Sequence, residues 1–516
     1  MVITTNRIQG DLAQPIARTY IFIATIMALP TCASASDWTF TPSLYIRGSY
    51  SDNVQLVSSA NAKSDFVKEV KPAISITGNN ERIKLDLFYN LQKLFYLRRQ
   101  NSLHHELAAN TEAELLDDWL FLDARVSNSR RNISAFGSQA FDNIQQSVNQ
   151  SDVRTSHISP FLRHHFPKFA TVELRFAHDT VHSGGNFLNV TTDKVFFKLL
   201  GDNFWPNWNW DAYYNINEIN DVQLNKERGH SEALSLRHNV SGRFAWFVTK
   251  GYENEGYNAS SGDNPQGDFW SVGANWRSNR SDLSLSVGER FFGKTYSLST
   301  SRRGQKSIWS FAYGEDITST ASEFLRLSQS DVGNLLNELW SEKIPNPIVR
   351  KQVVKTFLDT SRLPGFDRGA INYFTHSYFL QKQLRLSVAA MSAKSTVLMA
   401  ISATRRLAQT NYVVDSKLLP LNQQISNSDT TQIGASANWN WRMSTRTSNN
   451  LGITYDRTTD KSQRRDNNFV IVIGLNRALT RNITGSFDLR HMRHNSTQSG
   501  ASYRENGISA ALNLQL

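Results

Sequence analysis

Apolar and polar side chains alternate at every second residue in stretch after stretch of this chain, and that regularity narrows the fold more than any other feature. In Ser281 to Tyr296, SDLSLSVGERFFGKTY, Leu283, Leu285 and Val287 alternate with Ser284, Ser286 and Gly288. An extended chain puts the first set on one face and the second on the other. The pattern returns at Ile83, Leu85, Leu87, Tyr89 and Leu91, and at Leu120, Leu122, Ala124 and Val126. It returns again at Trp208, Trp210, Ala212, Tyr214 and Ile216, and at Ile433, Ala435, Ala437, Trp439 and Trp441. The residues between them are mostly polar or charged, among them Lys84, Asp86, Asp123, Arg125, Asp211 and Arg442. Such a face is too polar for a sandwich core but suits a water-filled lumen, while the opposite face suits hydrocarbon. Trp119, Trp208, Trp441 and Phe292 stand near the ends of apolar faces, where amphipathic rings favour a membrane interface. The expected fold is all-β, a single transmembrane antiparallel β-barrel. A mean hydropathy of −0.43 does not oppose it, because the lumen face and loops of a barrel are polar.

The connections alternate as well. Short links near Gly78 to Asn80, Asp117-Asp118, Ser278 to Arg280, Arg442 to Ser444 and Thr480-Arg481 are interleaved with long polar ones. The long ones run over Ser51 to Ser64, Arg131 to Gln150, Gly256 to Gly267, Leu407 to Ser428 and His494 to Tyr503. Short turns on one side of the membrane and long loops on the other are what an outer-membrane barrel shows, and the count comes to about 20 to 22 strands. Taking Tyr373 to Ser392 as one strand makes the total odd, so either it bends into two near Gln381 to Gln383 or another strand is misplaced. Ile508, Ala510, Leu512, Leu514 and Leu516 form one apolar row at the very end of the sequence. Pairing of this last strand with the first, near Ser43 to Tyr50, removes both unpaired edges.

Arg7 and Arg18 precede an apolar run, Tyr20 to Leu29, and then Ala33-Ser34-Ala35. This is the pattern of a cleaved secretion signal, too short for a helix of about 20 residues to span a bilayer. Residues 1–35 are therefore expected to be a signal peptide and 36–516 one barrel domain, since no Pro/Gly/Ser linker divides the rest. The only cysteine, Cys32, falls inside the signal. Disulfides and cysteine-held metals are thereby excluded from the mature chain.

One segment departs from the period of two. Asp331 is placed to cap a helix whose Val332, Leu335, Leu336, Leu339 and Trp340 share one face. Asn346-Pro347 opens a second, carrying Val349, Val353, Val354, Phe357 and Leu358 and stopping at Pro364-Gly365. The spacing predicts a short helical hairpin over 331–362, inserted between strands. It is either a pair of helices packed on each other in a loop or a lumen plug built on Leu335, Leu336, Leu339, Trp340, Val353 and Phe357.

Five stretches carry a resemblance. They are SDFVKEVKPAISITGNNERIKLDLFYNLQKLFYLR, LHHELAANTEAELLDDWLFLDARVSNSRRN, DFWSVGANW, GERFFGKTYSLS and WSFAYGEDITST. With the helical insertion, they resemble the outer-membrane β-barrel proteins encoded near exosortase and PEP-CTERM exopolysaccharide loci in Gram-negative bacteria. The resemblance implies an outer-membrane barrel linked by genetic neighbourhood to polysaccharide biosynthesis and export. It supplies no catalytic or binding residues.

Formal net charge is +11. Removing Arg7, Arg18 and Asp11 with the signal leaves +10. Lys84, Arg125, Arg175, Arg237, Arg290, Arg442 and Arg490 fall on the polar face and are the candidate lumen-lining cations. Basic rings in a narrow pore favour anions such as acidic polysaccharide. The competing reading pairs them with Asp86, Asp123, Glu173, Asp211 and Asp488, which share that face, and leaves slight selectivity. His104-His105, His164-His165 and His491 with His494 lack the neighbours of a metal shell, and no metal or cofactor is expected. His182-Ser183 lacks the third group of a hydrolase, so no catalytic residue is assigned. Nothing resembles a nucleic-acid patch. Expected partners are outer-membrane lipid and lipopolysaccharide, the barrel-assembly machinery, and anionic polysaccharide or export components. Three functions stay open: an export-associated pore, a non-conducting anchoring barrel at the cell surface, and an outer-membrane hydrolase.

Overall fold

The computed structural model describes residues 37–515 apart from 187, 202–204, 223–225, 261, 263, 327–330, 342, 346–349, 351–353, 355–373 and 411–428. The expected signal peptide, Val353 and Phe357 lie outside the described residues.

The strands follow one another as a meander. They are β1 (Asp37–Ser51), β2 (Asp65–Asn79), β3 (Ile83–Tyr96), β4 (Ser102–Leu116), β5 (Leu120–Asn132), β6 (Gln150–Phe166) and β7 (Ala170–Ser183). Next come β8 (Asn189–Gly201), β9 (Trp208–Asp221), β10 (Glu227–Asn239), β11 (Phe244–Asn254), β12 (Gln266–Arg277), β13 (Ser281–Arg290), β14 (Gly293–Arg303) and β15 (Ser307–Ser319). After an insertion follow β16 (Tyr378–Met391), β17 (Ser395–Ala408), β18 (Thr430–Arg442), β19 (Thr447–Asp460), β20 (Arg465–Ala478), β21 (Ile483–Ser496) and β22 (Tyr503–Gln515). Each strand pairs antiparallel with its neighbours in sequence. β1 pairs with β22 from Ser43↔Gln515 to Ser51↔Gly507, so the 22-stranded sheet closes into a barrel. Closure satisfies every edge, which a lipid environment demands. Tyr378–Met391 is one unbroken strand through Gln381 and Gln383, and the total is even.

All turns at the end where β1 begins and β22 ends are short, such as 80–82, 278–280 and 392–394. The opposite end carries the long connections 52–64, 133–149, 255–265, 320–377 and 409–429. Outward faces form an apolar belt in which Leu285, Val287, Ile401, Ile473 and Leu512 stay largely exposed, as lipid-facing residues must in a chain without its bilayer. At the short-turn end this belt is rimmed by outward Trp38, Trp119, Trp276, Trp309, Trp439 and Trp441. Trp208 joins the rim, packed edge-on against Trp246. Phe292 does not. It packs at the opposite end against Phe291 and under the Arg290 guanidinium, beside a buried cluster of Tyr257, Ile317, Tyr378 and Leu380. A two-residue turn between β13 and β14 leaves it no strand face from which to meet lipid.

The register also places Glu289. Pairing runs without a bulge through Ser271↔Gly288 and Trp270↔Glu289 on one side and Gly288↔Thr295 and Glu289↔Lys294 on the other. Glu289 therefore stays on the outward face with Leu285 and Val287, one residue from the strand end, opposite Trp270 and Lys294.

Candidate functional site

Alternation directs one residue in two into the lumen, and on those inner faces basic and acidic side chains occur in comparable numbers. The predicted basic residues do not form one ring. Arg442 ends β18 at the short-turn rim and donates to the Ala393 carbonyl at 2.8 Å. Lys84, near the same rim, lies 3.8 Å from Glu112 and is mostly exposed. Arg175 bonds Asp123 at 2.6 Å and Glu173 at 3.0 Å and lies flat over Phe161. Arg237 sits 6.0 Å from the Phe247 ring. Arg125 faces the lumen between Asn110 and His157, with no ion pair among the described residues. Arg290 and Arg490 belong to the two charged clusters described below.

The first cluster is made by a loop that turns inward. Residues 133–149, between β5 and β6, lie against the inner faces of β1, β3, β21 and β22. Asp142 is shared by two arginines, Arg47 of β1 at 3.0 Å and Arg490 of β21 at 3.4 Å. Each guanidinium has its own wall carboxylate as well, Glu69 for Arg47 at 2.6 Å and Glu505 for Arg490 at 2.7 Å. Glu69 also accepts from Gln92, Glu505 from Ser51, and Gln92 in turn accepts from loop residue Asn143. Glu69 and Glu505 are 1% and 0% exposed, so charge pairing is what permits these carboxylates to be there at all. Ile144 adds an apolar anchor among Val54, Val67, Leu94 and Tyr96, and the Gln139 amide donates to the Tyr503 hydroxyl at 2.8 Å. The loop is compact within itself. Gln145 accepts from the amides of Phe141 and Asp142, and a Cβ at Gly137 would fall 2.5 Å from the buried Asn149 side chain.

The second inward segment is the insertion between β15 and β16. Helix α1 (Thr320–Arg326) starts where β15 ends, its first turn capped by Ser319 and Ser322 hydroxyls. Its Phe324 reaches across to the inner wall of β6 and β7, packing with Ile133, Val153, Val181, Leu188 and Phe374. Glu323 holds Arg406 of β17 at 2.5 Å. Helix α2 (Asp331–Leu339) is then found near the short-turn end. Leu336 and Leu339 are buried against Ile308, Ala389 and Leu398, the inward residues where β15, β16 and β17 meet their short turns. Leu335 and Trp340 pack around them. The chain thus enters from the long-loop rim, reaches the other end of the lumen and returns. On return Phe374 donates its amide to Ile133 at the root of the first loop, and His376 meets Asp221 of β9. The two inward segments touch there and bridge the lumen.

At the long-loop rim Arg290 gathers Glu253, Glu255 and Asp316, with nearest distances of 2.7, 3.2 and 2.8 Å. Burial pushes the Glu255 carboxyl up to about 7; Arg290 opposes the shift and Glu253 and Asp316 add to it.

Arg47, Glu69, Glu505 and Arg406 were not singled out from sequence, although each obeys the alternation of its strand. Their importance comes from partners far away in the chain. His182 and Ser183 are consecutive in β7 and point to opposite faces, and the Ser183 hydroxyl accepts from the Leu188 amide, so they make no catalytic pair. His164 stacks on Trp119 and His494 on Tyr503.

No protein-family model and no curated protein matches the chain. Among solved structures, it is similar to the FrpB iron transporter of Neisseria meningitidis, with a TM-score of 0.48, 9% identity, and 92% of this chain and 81% of that one covered. The siderophore receptor PirA of Pseudomonas aeruginosa gives a TM-score of 0.42 and 7% identity over 92% and 80%. A loop-deleted form of the outer-membrane protein OmpT of Vibrio cholerae gives 0.31 and 6% over 94% and 100%.

Proposed function

We propose that the protein is an outer-membrane pore, closed from within, that serves the export of polysaccharide-related material. The observation that carries this reading is the occupied lumen: a continuous polar inner wall is bridged by two segments that are insertions between strands rather than parts of the wall. Barrels of this size leave room for an aqueous passage or a plug. The near balance of inner charges and the pairing of Arg175, Arg290 and Arg490 favour a hydroxyl-rich, weakly charged cargo over strong anion selection. The apolar belt and the long-loop rim, with the secretion signal expected from the sequence, support the outer-membrane location, and the resemblance to exosortase-linked barrels supports the export role.

Conductance in planar bilayers tests it. The full chain should conduct little, and deletion of 331–362 should open a stable, weakly selective pore. A deletion variant as silent as the full chain would favour the anchoring barrel, for which the filled lumen is the relevant observation. Unchanged exopolysaccharide export in a strain lacking the protein would remove the export role.

A further inference from the structure

The outward face above the lipid belt of β19 to β22 carries a guanidinium cluster, and the carboxylate beside it, Asp52 just after β1, is bonded by Asn506 rather than by an arginine. On each of these strands the apolar row gives way toward the long-loop rim to polar or charged residues. Leu451, Ile453 and Tyr455 lead to Arg457; Ile473, Ile471 and Phe469 lead to Asn467 and Arg465. Phe487 and Leu489 lead to His491 and Arg493; Ile508 leads to Asn506 and Arg504. All four arginines are exposed.

Alternation sends the acids the other way. Asp456, Asp460, Asp466, Asp488 and Glu505 all occupy the inner faces, and no Asp or Glu lies on the outward face of these four strands. Arg493 and Arg504 are direct cross-strand partners. Like charges so opposed repel in a sheet unless something of opposite sign joins them. Their hydrogen-bond partners are amides: Arg493 bonds Asn495 at 3.2 Å and Arg457 bonds Asn467 at 2.8 Å, while the neighbouring Asp52 carboxylate accepts from the Asn506 backbone and side-chain amides at 2.7 Å each. Arg457 stands two strands from Arg493 and one pleat higher, a lateral offset of about 10 Å.

We infer that Arg493 and Arg504, assisted by Arg457, form a binding site for the phosphate groups of a phosphorylated glycolipid of the outer leaflet. The forked donors of arginine match phosphate oxygens in pairs, and one dianionic phosphate between two facing guanidiniums cancels their repulsion. The place of the cluster decides the source. It sits directly above the apolar belt, on the lipid side of the wall, where a headgroup remains in contact with its acyl chains on Phe487, Leu489 and Ile508.

Protein in phosphatidylcholine nanodiscs doped with diphosphorylated lipid A would be analysed for lipids retained through native mass spectrometry. The full chain should retain lipid A over phosphatidylcholine, and Arg493→Gln with Arg504→Gln should lower that retention about tenfold. Arg243→Gln with Arg280→Gln, in the short turns, should leave it unchanged. With the unaltered protein, lipid A stripped of its phosphates should not be retained, an arm that does not depend on any variant folding, and excess inorganic phosphate should compete only weakly. Equal retention of the stripped lipid, equal retention by the Arg493/Arg504 variant, equal losses in both variants, or full displacement by inorganic phosphate would each overturn the site. None of these outcomes touches conductance.

Discussion

Buried charge holds residues 133–149 in the lumen, whereas the deep end of the 320–377 insertion rests on aliphatic carbon. In the first case Asp142 is clamped between Arg47 and Arg490, each already committed to a wall carboxylate. In the second, Leu336 and Leu339 close over Ile308, Ala389 and Leu398, while the described ionic contacts of the insertion, such as Glu323 with Arg406 and His376 with Asp221, lie higher up. Charge pairing demands one geometry and leaves an unsatisfied ion when a partner is lost. Apolar docking is directionless and is lost in proportion to the area removed. The α2 contact is therefore the one that weakens by degrees, and the Asp142 contact the one that fails as a unit.

The largest effect should come from the charged side. Arg47→Ala strands Glu69, leaves Asp142 with Arg490 alone, and should cost about 3–5 kcal/mol of loop and barrel stability, read as earlier thermal unfolding and new cleavage within 133–149. A variant as resistant as the parent would end the comparison. Leu336→Ala should cost the α2 docking about 2–5 kcal/mol while leaving barrel unfolding unchanged. Conductance bursts and protease access near α2 would report it, and their insensitivity to salt would separate this contact from the ionic one. Tyr503→Phe removes the acceptor of the buried Gln139 amide and should cost about 1–3 kcal/mol, seen as faster hydrogen exchange in 133–149 alone.

The smallest effect concerns the rim. The Glu255 pKa is raised in the folded protein to about 7, so its contribution to stability is complete below the unfolded carboxylate value and is lost as pH rises through about 7. Proteolysis of the 255–265 loop should be faster at pH 8 than at pH 6, and Glu255→Gln should abolish the difference. An identical pH response in that variant would assign the effect to another group.

Much of this was legible in the chain as written. The period of two placed Lys84, Arg125, Arg175, Arg237 and Arg490 on the inner side and Leu285 and Leu512 on the outer, because side-chain direction in a strand is a local property. The helical spacing marked Leu335, Leu336, Leu339 and Trp340 as one face, and the structure supplies the inner wall it covers. Other features were not legible. Phe292 reads as an interfacial ring until the tight turn beside it is known. Arg47 looks like any inward cation of its strand, since neither Asp142 nor Glu69 is near it in sequence.

Sequence alone determined that this chain closes as an antiparallel barrel with an apolar outside and a polar inside, and that Ser43 to Tyr50 meets the final strand. Period and termini suffice for that, because lipid tolerates no unpaired edge. Only the tertiary structure decided which connections turn inward and what holds them. A loop enters the lumen when its own charges and carbons complement walls contributed by strands more than a hundred residues away, as Asp142 does for Arg490 and Phe324 for Val181, and no local pattern carries that information.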